Sequence, residues 1–164
     1  MDKRWVYRPR QQEEAVSQLA AAINVDPLIA RLLIGRGVST FETAKDFFRP
    51  ELANLHDPFL MKDMGKAVDI IEQAIRKQDK ILIYGDYDVD GTTAVSIVFS
   101  YFKSFNQNIE YYIPDRYKEG YGISRTGLEY AAAKGFTLVI ALDCGIRSNE
   151  LVDYGNSLGL EIII

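Results

Sequence analysis

The spacing of hydrophobic residues changes near residue 80. Before this point, from Gln11 to about Gln78, apolar side chains recur every three or four residues, as they do on one face of an α-helix. After it, short apolar runs rich in Ile, Leu and Val alternate with segments of helical spacing. The pattern predicts a helical region over residues 1–79 and repeated strand–helix units over residues 80–164.

The second region predicts strands and helices in strict alternation. The predicted strands cover residues 81–84, 109–113, 136–142 and the run that begins at Leu160, and the predicted helices cover 92–105, 124–134 and 148–157. Strands that alternate with helices form parallel βαβ units, whose helices cover both faces of the sheet. We therefore predict an α/β fold with a parallel sheet, preceded by a small helical region.

Composition narrows the class of protein. The 164 residues are 48% hydrophobic and 26% charged, as is typical of a water-soluble globular protein. No apolar run reaches ~18 residues, so we expect no membrane span, and the single Cys144 favours a reducing compartment such as the cytoplasm. A net charge of −4 argues against a passive binder of polyanions. Divalent metal ions would reverse the sign of an acidic site.

Basic and aromatic residues are interleaved in the first ten positions. They are Lys3, Arg4, Trp5, Tyr7, Arg8 and Arg10. Such interleaving can hold single-stranded nucleic acid through base stacking and phosphate contacts. The alternative is a terminal arm that carries scattered charges.

Three aspartates follow the first predicted strand at alternate positions. Asp86, Asp88 and Asp90 come after Gly85 and lead into a helix-like segment. Carboxylates this close together repel one another, and a bound cation is the usual compensation. The carboxyl ends of parallel strands lie at one edge of the sheet. The segments 114–116 and 143–145, which follow the next two strands, are therefore expected to converge on the aspartates.

Two interpretations use the aspartate loop alone. An EF-hand calcium loop would match at Asp86, Asp88 and Asp90, but its last position requires a glutamate and holds Ile97. The segment 88–92 also resembles the DxDGT motif of haloacid dehalogenase-type phosphatases, in which Asp88 would be the nucleophile and Asp90 the acid/base. Neither interpretation explains the segments 113–122 and 142–146.

All three loops together resemble the DHH phosphoesterase superfamily. Segment 86–91 matches its D-x-D-x-D-G loop, segment 114–122 its P-x-R-x-x-x-G-Y-G loop, and segment 143–146 its D-x-G-I turn. The segments occur in the order of the family, and the match is closest to the RecJ-type single-strand exonucleases. Segment 57–61, which precedes the first strand, also resembles those enzymes.

The resemblance implies a two-metal site. Asp88, Asp90 and Asp143 would be catalytic metal ligands, and Asp86 would be a further ligand or a residue that orients one. Two divalent ions about 4 Å apart supply a hydroxide nucleophile and offset charge on the phosphoryl group. Carboxylates suit Mg²⁺ or Mn²⁺, and the histidines of the family favour Mn²⁺. Taken alone, each aspartate has the alternative role of a turn or helix-cap residue.

The same loops predict contacts to the substrate phosphate. The candidate residues are Gly91, Thr92, Arg116, Lys118, Tyr121 and Gly122. Arg116 is the first choice because its guanidinium matches phosphate geometry, and the alternative is a salt bridge with Glu119. Thr92 has the alternative role of a helix cap, and Tyr121 is suited to base stacking or to core packing. Cys144 is interpreted as a small buried residue in preference to a thiolate ligand.

The implied function is metal-dependent 5′-to-3′ hydrolysis of single-stranded DNA in repair and recombination. A single-strand-binding protein or a helicase would be a partner. Alternatives within the superfamily are an oligoribonucleotide or cyclic-dinucleotide phosphodiesterase, and outside it a phosphatase or a non-catalytic nucleotide- or metal-binding module. The Asp-His-His motif of the family would follow the strand that begins at Leu160, and the sequence stops at Ile164. We therefore expect an amino-terminal fragment with a truncated catalytic domain, inactive alone and with weak or no metal binding.

Overall fold

The structure of the protein is a computed structural model that describes residues 4, 6 and 12–164. The predicted nucleic-acid contacts of the first ten residues lie outside the described residues, apart from Arg4. The chain divides into two compact units, Met1–Leu60 and Met61–Ile164. The helix over Met64–Lys77 groups with the second unit. A domain boundary between residues 79 and 80 stays a prediction.

The first unit is helical over residues 12–60. It contains α1 (Glu13–Ile23), α2 (Pro27–Ile34) and α3 (Phe41–Phe48), then 3-10 turns at Leu52–Asn54 and Pro58–Leu60. One buried core joins the three α-helices, formed by Val16, Leu19, Ala20, Ala30, Leu33, Val38 and Ala44. No single described helix is long and apolar enough to cross a membrane; α1 and α2 meet that length and composition only as a pair bent by 112°.

The second unit is a four-stranded parallel sheet with four α-helices. Its elements in chain order are α4 (Met64–Lys77), β1 (Ile81–Gly85), α5 (Val89–Lys103), β2 (Ile109–Tyr112), α6 (Arg125–Ala133), β3 (Leu138–Leu142), α7 (Asn149–Ser157) and β4 (Glu161–Ile163). The strand order is β2-β1-β3-β4, and every pair is parallel. This confirms the predicted fold class.

Helices cover both faces of the sheet because alternate strand residues point to opposite sides. On one face, Leu82, Tyr84, Val139 and Ala141 pack in a core with residues of α6 and α7. On the other face, the alternate residues of the same two strands pack with α4 and α5. These residues are Ile81, Ile83, Leu138 and Ile140. The strands β1 and β3 are therefore buried on both sides, which explains their continuous apolar sequences.

The strand order places a crevice at the ends of β1 and β3. The chain moves from β1 outward to β2 and then returns to the other side of β1 to form β3. Neighbouring connections leave the sheet in opposite directions at such a switch point, and ligands of α/β proteins bind there. Gly85 of β1 pairs with Leu142 of β3, so the next residues, Asp86 and Asp143, emerge side by side.

The helix after the aspartate loop begins earlier than predicted. We expected it to start at Thr92, and it starts at Val89, so that Asp90 and Gly91 lie in its first turn. Asp88 is its N-cap residue, with extended backbone and a side chain that accepts the backbone N–H of Gly91. A capping side chain replaces the missing hydrogen-bond partners of a first turn, so the helix can begin within the acidic segment.

Candidate metal and phosphate site

Asp86 is the first residue after β1, and its side chain is fully buried. Its Oδ1 accepts the backbone N–H of Tyr87 at 2.7 Å, whereas its buried Oδ2 has no hydrogen-bond partner in favourable geometry, although the Tyr121 hydroxyl lies near this carboxylate. A buried carboxylate oxygen without a partner is unfavourable unless a donor or a cation satisfies it. This oxygen is the clearest sign of a cation site at the switch point.

Asp88 is held from two sides. Its Oδ1 accepts the N–H of Gly91 at 2.9 Å, and its Oδ2 accepts the hydroxyl of Tyr121 at 3.1 Å. The bond from the Gly91 amide is the main reason why the pKa of the Asp88 carboxyl is lowered, and Tyr121 adds to this effect. Asp88 therefore stays ionised, as a metal ligand must be. The same residue fills the capping role that was its predicted alternative.

Asp90 and Asp143 complete a group of four neighbouring carboxylates. Asp90 lies exposed in the first turn of α5, and Asp143 follows β3 with a left-handed backbone at φ 56°. Desolvation raises the pKa of the Asp143 carboxyl, and the charges of Asp88, Asp90 and Asp86 raise it further. Asp86, Asp88 and Asp90 are thus close enough for their charges to act on Asp143, as the parallel-sheet argument predicted.

The donor set fits a hard divalent cation. All four side chains offer carboxylate oxygens, which Mg²⁺ and Mn²⁺ prefer. Neither of the ion pairs in the described part of the chain neutralises an aspartate of this group; those pairs join Arg31 to Glu13 and Arg76 to Glu72. As the side chains stand, no three His, Cys, Asp or Glu residues among those described form a group arranged to hold a metal ion. Coordination would therefore require members of the group other than the doubly hydrogen-bonded Asp88 to move closer to it.

Arg116 lies in the loop after β2 and does not pair with Glu119. Its guanidinium lies over the ring of Tyr87, with its Cζ 5.4 Å from the ring centroid. The predicted alternative of an Arg116–Glu119 salt bridge is therefore wrong. The guanidinium is exposed and has no carboxylate partner within the described structure, so its donors are available to an anion.

Glu119 instead organises the base of this loop. Its carboxylate accepts the hydroxyl of Tyr112 at 2.9 Å, the hydroxyl of Ser124 and the backbone N–H of Asp115 at 2.8 Å. The loop is thereby tied to β2 at one end and to the start of α6 at the other. The residues between these ends include Arg116 and Tyr121, so Glu119 determines where they are presented.

Tyr84 ties the same loop to the centre of the sheet. Its fully buried ring stacks on Tyr112 at a centroid distance of 5.3 Å. Its hydroxyl donates to the carbonyl of Gly122 at 3.1 Å and accepts the N–H of Ser124 at 3.0 Å. Burial raises the pKa of Tyr84 to about 12, so its hydroxyl remains a donor at neutral pH.

The remaining predicted phosphate contacts have mixed outcomes. The N–H of Gly91 is donated to Asp88, and the hydroxyl of Thr92 is donated to the Asp88 carbonyl at 2.7 Å. Both groups are therefore engaged in the helix cap, and phosphate binding would require that cap to open. Lys118 has an exposed side chain, and Gly122 is buried below Tyr121 with φ 85°. Tyr121 is 65% exposed, which excludes the core-packing alternative.

Cys144 behaves as the sequence interpretation proposed. It is partly buried against the core that contains Tyr84 and Leu128. Desolvation, with the charges of Asp86, Asp143 and Asp88, raises the pKa of its thiol to about 12. A partly buried thiol that keeps its proton packs as a small hydrophobic group.

Sequence reasoning missed the roles of Glu119, Tyr84, Ser124 and Tyr87. Glu119 stands in a charged loop segment, where nothing distinguishes it from a solvated surface residue. Tyr84 offered a weak signal, because it places a polar hydroxyl inside an apolar strand. A buried tyrosine hydroxyl normally finds a partner. The partners themselves are about 40 positions away in sequence.

Residues 80–164 match the DHH family, N-terminal domain. The match covers the whole sheet, α5 to α7 and every residue of the carboxylate group. The parallel sheet with aspartates at its switch point agrees with the α/β fold expected from the resemblance to this family. The chain therefore belongs to the DHH family.

Individual proteins resemble almost the whole chain. The single-stranded-DNA-specific exonuclease RecJ of Bacillus subtilis (strain 168) is 41% identical over 162 residues, which cover 98% of this chain and 20% of that protein. The structure of RecJ from Thermus thermophilus in complex with Mn²⁺ matches with a TM-score of 0.63 and 25% sequence identity. The match covers 93% of this chain and 21% of the Thermus chain. A structure of exonuclease RecJ bound to manganese has a TM-score of 0.55 and 29% identity over 62% of this chain and 26% of its own. The chain spans about a fifth of the length of the Bacillus relative.

Asp143→Asn is expected to stabilise the fold at pH 7 in buffer that contains a chelator. The pKa of Asp143 is raised in the folded protein, so the fold favours the protonated carboxyl. Its contribution to stability is complete below the unfolded pKa of about 3.9 and is lost as the pH rises through the folded pKa. At pH 7 the ionised carboxylate is therefore less favourable than a neutral asparagine. Thermal unfolding at pH 7 and at pH 3 measures this. The variant should melt higher than the original protein at pH 7 and equally at pH 3. An equal gain at both pH values would assign the effect to the preference of asparagine for left-handed backbone.

Glu119→Gln is expected to loosen the loop between β2 and α6. The amide retains one acceptor oxygen and turns the other into a donor, which faces groups that also donate. Loss of hydrogen bonds to a charged group should lower the free energy of unfolding by about 1–3 kcal/mol in urea denaturation. Glu14→Gln, on an exposed turn of α1, is the control and should change little. Equal stability of the two variants would contradict the assigned role of Glu119.

Proposed function

We propose that the chain carries part of a two-metal phosphodiesterase that degrades single-stranded DNA from the 5′ end, within the cytoplasm, in DNA repair and recombination. The observation that carries the proposal is the convergence of four aspartates at the switch point, with the buried Asp86 Oδ2 unsatisfied. The names of its relatives support the substrate: they are exonucleases specific for single-stranded DNA. We also propose residues 80–164 as one part of the catalytic domain, preceded by a helical region over 1–79.

Each aspartate has a proposed role in holding the metal ions. Asp88, Asp90 and Asp143 would be ligands, and Asp86 would supply its unsatisfied oxygen or orient the loop. Bound Mn²⁺ or Mg²⁺ would provide a hydroxide nucleophile and offset charge on the phosphoryl group. Structures of relatives in complex with Mn²⁺ and with Mg²⁺ support either ion. The hydrogen bond from the Gly91 amide keeps Asp88 ionised, so that it is ready to bind without losing a proton.

Arg116 is the proposed clamp for the substrate phosphate. Its guanidinium can offer two parallel N–H donors to phosphate oxygens, and its stacking on Tyr87 limits how far it can move. Lys118 and the exposed Tyr121 lie in the same loop and supply a second charge and a ring for base contact. By resemblance alone, a single-strand-binding protein or a helicase is the proposed partner that would deliver the strand.

A substrate panel tests the proposal. The protein expressed from its complete gene should be incubated with Mn²⁺, Mg²⁺ or a chelator. The substrates are single-stranded DNA labelled at either end, duplex DNA, an oligoribonucleotide, a cyclic dinucleotide and p-nitrophenyl phosphate. We expect metal-dependent loss of single-stranded DNA, with a 5′ label released at once as a mononucleotide. Cleavage of the cyclic dinucleotide, the ribonucleotide or the nitrophenyl ester with intact single-stranded DNA would overturn the proposal in favour of the corresponding alternative. A protein that binds Mn²⁺ and cleaves nothing would be a binding module.

A further inference from the structure

A tyrosine hydroxyl links the substrate loop to the metal loop. Tyr121 lies in the segment after β2, and its hydroxyl donates to Oδ2 of Asp88, 33 positions earlier, at 3.1 Å. Asp88 Oδ1 is engaged by the Gly91 amide, so both carboxylate oxygens are held and the plane of the carboxylate is determined. A carboxylate oxygen has two acceptor positions, so Oδ2 retains one for a cation.

The ring of Tyr121 continues this link toward Arg116. Tyr121 and Tyr87 meet edge to face with ring centroids 5.7 Å apart, and the Arg116 guanidinium lies over the other ring, Tyr87. A continuous series of contacts therefore runs across the two loops, from the Asp88 carboxylate through the rings of Tyr121 and Tyr87 to the Arg116 guanidinium. These contacts connect Asp88 to Arg116 within the described structure.

The backbone on both sides of Tyr121 has a conformation that favours glycine. Gly120 and Gly122 flank it, both with φ 85°, a region that residues with side chains rarely adopt. The base of the loop is fixed by Glu119, whereas the Tyr121 side chain is 65% exposed. The hydrogen bond from the Tyr121 hydroxyl to Asp88 is therefore made by an exposed side chain on an anchored loop, and we call this hydrogen bond the latch.

We propose that Tyr121 is a positioning residue that orients the Asp88 carboxylate for metal binding and couples it to the presentation of Arg116. The inference rests on the proposed function, because it takes Asp88 as a metal ligand. Hydrogen-bond partners of metal ligands fix the orientation of the ligand, and their removal typically lowers metal affinity about 10- to 100-fold. The essential group is the hydroxyl, since the ring alone would serve base stacking.

Tyr121→Phe separates the two roles because it removes the hydroxyl and keeps the ring. Mn²⁺ binding by the protein expressed from its complete gene, measured by calorimetry and by the electron paramagnetic resonance signal of free Mn²⁺, should weaken at least about tenfold. Tyr121→Ala should show a similar loss. Tyr117→Phe is the matched control, because Tyr117 lies in the same loop with a side chain that is 95% exposed, and its affinity should not change. Tyr121→Phe with the affinity of the original protein would overturn the inference.

Amide hydrogen exchange in the presence of a chelator provides a readout that needs no metal. Loss of the latch should accelerate exchange over residues 117–122 in Tyr121→Phe and leave Tyr117→Phe unchanged. Equal exchange in the two variants would overturn the inference even where Mn²⁺ binding is too weak to measure. Asp90→Asn distinguishes a failure of the proposed function from a failure of the inference about Tyr121. Unchanged Mn²⁺ affinity in that variant would remove Asp90 from the metal site while the exchange result still decides whether the latch exists.

Discussion

Asp90→Asn in the protein expressed from its complete gene is expected to lower hydrolysis of single-stranded DNA at least about 1,000-fold. A metal-bound transition state is stabilised by several kcal/mol, and each 1.36 kcal/mol corresponds to about tenfold in rate. Asparagine keeps the shape of the side chain and removes the charge that would hold the cation. Initial rates on a 5′-labelled single strand, with Mn²⁺ varied, give the measurement.

The position of Asp90 makes this variant informative. Its side chain is exposed and accepts no hydrogen bond within the described structure, so its loss should leave thermal stability nearly unchanged. Asp88 would be a poorer choice, because it also caps α5 and its replacement would mix catalysis with folding. Asp69→Asn, on an exposed turn of α4, is the control and should keep full activity. Retained activity in Asp90→Asn with normal folding would exclude this residue as a ligand.

Gly91→Ala is expected to be the most damaging single substitution for the fold of the second unit. A Cβ at this position would lie 2.5 Å from the backbone oxygen of Asp86 and 2.6 Å from its nitrogen. Both contacts are with backbone at the end of β1, so neither can be relieved by rotation of a side chain. The strand and α5 would have to separate, at a cost of about 3 kcal/mol or more.

The matched control is a second glycine in a helix of the same unit. Gly65 lies in α4 with nothing within 4 Å of its added Cβ, so Gly65→Ala should stabilise the protein by about 0.5–1 kcal/mol. Urea denaturation of the two variants measures the difference. Mn²⁺ binding should also be lost in Gly91→Ala, because the displaced segment carries Asp86 and Asp88. Similar stability in both variants would show that the contact at Gly91 is easily relieved.

Hydrophobic spacing and chain order were enough to predict the class of the fold and the sheet edge at which the candidate site lies. Apolar runs of strand length that alternate with helical spacing can bury their surface only as a sheet covered on both faces, and β1 and β3 are buried in this way. Asp86 follows one central strand and Asp143 follows the other. Because parallel strands end at the same edge, the sequence places both residues at that edge. Their direct proximity depends on the pairing of β1 with β3, which the structure shows.

The contacts that hold the loops, and the side chains left free to bind a ligand, could be identified only from the three-dimensional structure. The pairing of Tyr121 with Asp88, of Tyr84 with the residues 122–124, and of Arg116 with Tyr87 joins positions about 30 to 40 residues apart. Contacts between positions close in sequence are also hard to predict. The Glu119 carboxylate accepts hydrogen bonds from Tyr112 and Ser124 and does not pair with the nearby Arg116. Loops have no periodic pattern, so their contacts depend on backbone geometry and on the surrounding elements. The early start of α5 and the tight packing at Gly91 have the same cause: both depend on where β1 ends relative to the helix.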